Sequence, residues 1–239
     1  MKTKLCVLIV TALVAWGMKR HYADARADDL WWVLSPTARL VEGMTGATFT
    51  PIPGEGYFSR DRLFLIEKSC AGINFMIAAF GMLVFTLLRG VGAGLSGARV
   101  LGVSLLASYA AAVIVNAARI AIAMWLAAHA VAPSTFSAAD VHRVEGIAVY
   151  FGGLVLVYYL AQRLDGRAVT VRQAALPLTA YYAVTLGLPL ANGAVESGGP
   201  FVEHALVVLV VPPALLTIAW AVHQASCVTR GVRRPFRAP

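Results

Sequence analysis

Charged residues are scarce in this chain. Asp, Glu, Lys and Arg make up 13% of its 239 residues, against 59% hydrophobic ones and a mean hydropathy of +0.72, where a soluble domain carries about 25% charged residues. Ordinary soluble behaviour is therefore not expected. Cysteine is also sparse: Cys6, Cys70 and Cys227 lie in separate regions without a CxxC pair, which indicates neither a disulfide framework nor a zinc site. No metal and no cofactor is expected. GxSxG, HExxH and paired aspartates within apolar segments are missing too, so serine, zinc and aspartyl proteolysis lack their residues. The net charge of +8 would suggest nucleic acid for a soluble domain. Here the basic residues flank apolar runs, so the expected partner is the lipid bilayer and not nucleic acid.

The apolar runs divide the chain into spans, and the expected fold is all-α, a polytopic membrane bundle of about six helices in one domain. Leu5 to Met18 reads as a signal anchor or a removed signal peptide. Residues 19 to 69 read as an irregular outer loop, with Trp31 and Trp32 in a segment at headgroup level. Residues 70 to 162 form the core, with spans beginning at Ile73, Val100 and Gly146. Two further spans fall in residues 174 to 223, and a basic tail covers 224 to 239. Lys2, Lys4, Arg89, Arg99, Arg163, Arg167, Arg172 and the tail arginines share one side with a single acidic residue, Asp165. The positive-inside rule then places both termini inside. The stretch from Val100 to Ala132 is either one long helix or two short ones turning near Asn116. Only the single helix brings Cys70, Arg119 and His142 to one depth, because Arg119 then lies roughly 28 Å above Val100.

Cys70 sits where a charged loop meets an apolar span, the position of a reactive thiol more than of an inert one. An arginine inside an apolar segment is costly unless it faces a partner or a cavity, which makes Arg119 a site candidate. Asn116, three residues earlier, shares its helical face. His142 stands before the next span, and an imidazole exchanges protons near neutral pH. A cysteine nucleophile needs a base and an acid, which one histidine supplies, and Arg119 can hold the oxyanion of a tetrahedral intermediate. Asn74 is placed to support Cys70, and Asp140 or Glu145 to orient His142. His204, beside Glu203, is the competing proton carrier. The plain alternatives are a packing role for Cys70, an interfacial role for His142 and snorkelling for Arg119.

Glu67-Lys-Ser-Cys-Ala-Gly72, Asn116-Ala-Ala-Arg-Ile120, and His142 with Gly146 four residues later together resemble the exosortase/archaeosortase family of membrane cysteine transpeptidases. The likeness covers about residues 60 to 162, and the short chain is similar to the branch called exosortase K. It implies Cys70 as nucleophile, Arg119 as oxyanion or positioning group and His142 as acid and base. It further implies cleavage of a C-terminal sorting signal of exported proteins through a thioester, transfer to an acceptor, and residence in the bacterial cytoplasmic membrane with the site near the outer face. Ala71 departs from the serine common in relatives. The alternative function is a non-enzymatic scaffold or small anion transporter using Arg119.

Overall fold

The computed structural model describes residues 2–88, 95–129, 137–164, 166, 175–191 and 199–231. Arg89, Asp165, Arg167, Arg172, Arg233, Arg234 and Arg237, on which the charge argument for orientation draws, lie outside the described residues. The helices are α1 (Lys2–Asp24), α2 (Trp31–Thr45), α3 (Ile73–Leu87), α4 (Gly97–Ala128), α5 (Ala138–Leu164), α6 (Ala175–Tyr182), α7 (Leu188–Ala191) and α8 (Gly199–Gly231). A π-helical turn, Ala183–Gly187, joins α6 to α7. The fold is helical as expected, with one small sheet.

Among the described residues, four segments are long and apolar enough to cross a membrane: Lys68–Leu87, Gly97–Ala128, Ala139–Leu164 and Phe201–Val222. A shorter apolar helix covers Ala175–Ala191. The expected first span lies within α1, which is not among the four. The stretch from Val100 is one helix and not two. Ser96 starts α4 by accepting a hydrogen bond from the Arg99 amide at 3.2 Å, and nothing interrupts it for 32 residues. The span expected to begin at Gly146 begins earlier, at Ala138, so His142 sits in the second turn of α5 and not in a loop.

Burial runs opposite to that of a soluble bundle. α3 is enclosed by α1, α4, α5 and α6, and 78% of its apolar window is buried, against 11% for α8. Leu206, Val210 and Ile218 of α8, Leu106 and Ile114 of α4, and Leu13 and Trp16 of α1 all face outward. Such a surface suits hydrocarbon and not water. Buried threonine hydroxyls are satisfied locally: Thr11, Thr37 and Thr86 each donate to the carbonyl four residues back at 2.7 Å. This is how an apolar helix carries threonine without an unpaired polar group.

Two prolines leave carbonyls that a tyrosine then satisfies. Pro36 lies inside α2 and has no N–H for the carbonyl of Trp32; the Tyr109 hydroxyl of α4 donates to that oxygen at 2.7 Å, and its ring stacks on Trp32. Pro213 of α8 likewise leaves Leu209, whose carbonyl accepts from the Tyr182 hydroxyl at 3.2 Å.

The segment expected to be irregular is structured. α2 buries Val33, Leu34, Ala38 and Val41, packing on α4, and ends at Gly46, whose left-handed φ of 69° closes the helix. A three-stranded antiparallel sheet follows: β1 (Thr50–Ile52), β2 (Gly56–Ser59) and β3 (Phe64–Ile66), in that order. Its register pairs Thr50 with Phe58 and Phe58 with Leu65. Acidic side chains hold the backbone in place, Glu42 accepting from the Phe49 amide and Asp28 from that of Gly54. Between β2 and β3, Ser59 donates to Asp61 at 2.6 Å, which holds the Asp61 carboxyl below its usual range.

Candidate active site

β3 delivers the chain to the site. Glu67 is extended, and Lys68–Ala71 wind into one 3-10 turn carrying Cys70. The turn is closed by the Cys70 amide donating to the Glu67 carbonyl at 2.9 Å. Gly72 then takes a left-handed φ of 68° to start α3, and a Cβ there would lie 3.4 Å from the Asn116 side chain. The left-handed backbone is what calls for glycine here, a Cβ meeting Asn116 only at ordinary contact distance. Ser69 donates to Glu67 at 2.7 Å and lies 3.9 Å from the Cys70 sulfur. Since its own proton goes to Glu67, the thiol is the donor in that contact.

One hydroxyl joins three elements behind the cysteine. Asn116, buried in α4, donates through Nδ2 to the Cys70 carbonyl. The Tyr150 hydroxyl of α5 donates to Asn116 Oδ1 at 2.8 Å and accepts from an Arg119 terminal nitrogen at 3.3 Å. The Tyr150 ring stacks on Phe75 of α3, and the guanidinium of Arg119 lies 5.2 Å from its centroid. Room for that guanidinium comes from Gly146, where a Cβ would fall 3.1 Å from Arg119 Nε.

His142 meets the other terminal nitrogen of Arg119 at 2.9 Å through Nε2. Arginine only donates, so Nε2 is the acceptor and the ring proton sits on Nδ1, which faces Glu145 at 3.6 Å. Glu145 Oε2 also lies 4.0 Å from Arg119 Nε, with the two side chains 6% and 13% exposed. Neither Glu145 oxygen nor Arg119 Nε has a hydrogen-bond partner among the described residues. In so dry a pair, removing one charge leaves the other uncompensated.

Cys70, Arg119 and His142 line one open cleft of about 340 Å³, together with Glu67, Ser69 and the apolar Phe64, Leu65, Ile120 and Ala123. A second cavity of about 390 Å³ lies across the Arg119 and His142 pair, lined by Asn74, Tyr150, Tyr181, Thr185 of the π turn, and His204. Two compartments thus share one cation and one imidazole.

Of the residues expected from sequence, Cys70, Arg119, His142, Asn116 and Glu145 come together. Asn74 instead accepts from Lys19 of α1 at 2.8 Å. Asp140 turns to Ser137 at 2.6 Å and to Arg143, so Glu145 is the carboxylate beside His142. His204 reaches the second cavity only, and His129 bonds the Trp125 carbonyl. Tyr150 was not expected, although His142, Gly146 and Tyr150 at four-residue intervals form a stripe on one helical face. Among the described residues no group of three His, Cys, Asp or Glu side chains could hold a metal ion. Compared with known proteins, the chain matches no family model, no curated protein and no solved structure.

Proposed function

We propose that the chain is a membrane-embedded cysteine peptidase or transpeptidase of the exosortase type, acting on a C-terminal sorting signal of exported proteins. The observation that carries this reading is that three different helical segments present Cys70, Arg119 and His142 to one cleft. The resemblance in the motifs around these residues adds the substrate class. On this reading six spans with both termini inside hold the site near the outer face of the bacterial cytoplasmic membrane.

In the resting geometry the free lone pair of His142 is occupied by Arg119. A substrate carbonyl entering the cleft offers Arg119 a competing acceptor and releases Nε2 to take the Cys70 proton. The sulfur then bonds the carbonyl carbon while Arg119 faces the oxyanion. The C–N bond breaks, His142 returns its proton to the departing amine, and a thioester remains. An acceptor nucleophile or water attacks that thioester, its proton passing to His142 and then to the Cys70 sulfur as the acyl group leaves.

The test is co-expression with an exported protein from the same genome that ends in a membrane helix and basic tail. Processing is expected to be lost in Cys70→Ala, and hydroxylamine is expected to release the product from the wild-type thioester. Unchanged processing in Cys70→Ala removes the thiol mechanism. If Arg119→Gln alone then alters transport of an anion, the scaffold or transporter reading takes its place.

A further inference from the structure

The small sheet is finished at one edge and open at the other. β1 carries Pro51 and is followed by Pro53, and a proline has no N–H to offer a further strand. β3 has no proline and, among the described residues, pairs with β2 alone. Among the described residues no other backbone or side-chain hydrogen bond engages the main chain of Phe64, Leu65 or Ile66. Folded proteins blunt exposed strand edges because unpaired N–H and C=O groups are a template for another chain. Among the described residues this sheet leaves open the edge that leads to Cys70.

The open edge borders the catalytic cleft. Successive strand residues point to opposite faces, yet Phe64 and its neighbour Leu65 both line the Cys70 cleft, as does Glu67. A cavity bordered by adjacent residues of a strand meets the edge and not one face. Ile120 and Ala123 of α4 form the opposite wall. Beyond Phe64 a further cavity of about 530 Å³, walled by Met124 and Trp125 of α4 and reaching Arg62 and His129, continues the line. Phe64 thus borders both cavities, and the nearer one holds the thiol.

We infer that the open edge of β3 binds the acyl part of the substrate as an added strand, so that an extended polypeptide segment is recognised through its main chain. This rests on the cysteine peptidase reading and specifies how that site holds its donor. The occupant is the unfolded stretch just before the scissile bond. The stretch after that bond continues into a membrane helix and has no place beside a strand outside the apolar spans. β3 runs toward Cys70 and the acyl segment ends there, so the two strands are parallel. Side chains at paired positions are read only by the pockets they enter, whereas backbone donors are required at alternate residues.

The experiment uses full-length protein in detergent and a synthetic peptide copying the ten residues before the membrane helix of the exported protein co-expressed above. In the free protein, amides on the open side of residues 64 to 67 are expected to exchange as unprotected groups, and adding the peptide to Cys70→Ala is expected to slow them about tenfold, the worth of one hydrogen bond. Single N-methylation along the peptide is expected to weaken binding about tenfold at alternate positions and little between them. Protection of every β3 amide in the free protein, or an N-methyl scan without alternation, overturns the inference. A flat scan combined with loss of processing in Cys70→Ala removes strand addition and leaves the thiol mechanism standing. Processing that survives Cys70→Ala removes the thiol mechanism whatever the scan gives.

Discussion

Tyr150 places one hydroxyl at the meeting point of Asn116 and Arg119, and through Asn116 it acts on the peptide group of Cys70. Tying the Cys70 carbonyl to α4 fixes the turn that carries the thiol. Tyr150→Phe retains the ring stack and the cation over the ring but leaves Asn116 Oδ1 without a donor and one of the two terminal nitrogens of Arg119 without its acceptor. We expect processing to fall about 10- to 100-fold with KM nearly unchanged, and combination with Asn116→Ala to cost less than the sum of the two. Full additivity in that cycle argues against a shared relay. That Cys70, Arg119 and His142 share one cleft was legible in the sequence because an arginine inside a span is a costly placement and an unbroken α4 carries it to the depth of the two span-boundary residues. Tyr150 was not, since a tyrosine in an apolar helix reads as packing until a partner is seen. Asn74 shows the converse: near Cys70 in sequence, it points to Lys19, which belongs to a helix 55 residues earlier.

At the scale of elements, α4 was the piece the site depended on. Its continuity follows from the lack of any proline or glycine between Gly102 and Ala128, and Asn116 does not break it because its amide is satisfied on α3's leading turn and on α5. α2 and the sheet were not legible in the same way. Pro36 argues against a helix interior, strands of three and four residues are too short for an alternation to show, and Pro51 argues against a strand until that strand proves to be an edge. What rescues α2 is Tyr109, which lies 77 residues away. Tyr109→Phe is expected to lower stability by about 1 to 3 kcal/mol, the cost of an unpaired buried carbonyl, measured as a lower unfolding midpoint in detergent. Tyr182→Phe, whose acceptor lies on the exposed α8, is expected to cost less. Equal losses in the two variants would show that burial does not set the cost.

For the whole molecule, the outward apolar surface made a membrane protein legible from composition alone, while the number of spans depends on packing that composition does not carry. α1 illustrates this. Its apolar run is short, yet Val7 is buried against Phe80, Val84 and Val100, Gly97 has no room for a Cβ beside Val7, and Lys68 donates to the Ala23 carbonyl at 3.0 Å. The last contact fixes the end of α1 beside the Cys70 turn, so the start of α1 lies about 30 Å away along its axis. In a cysteine-free background, Thr3→Cys and Arg60→Cys are expected to react with a membrane-impermeant maleimide from opposite sides of sealed vesicles. Labelling of both from one side would refute a spanning α1. The bond from Tyr109 to Trp32 also orders events in time. Residue 32 leaves the ribosome long before residue 109, so α2 is synthesised without its donor and keeps the Trp32 carbonyl hydrated until α4 is inserted. The packing of α2 on α4 is therefore completed only after the helix holding Arg119 is in place.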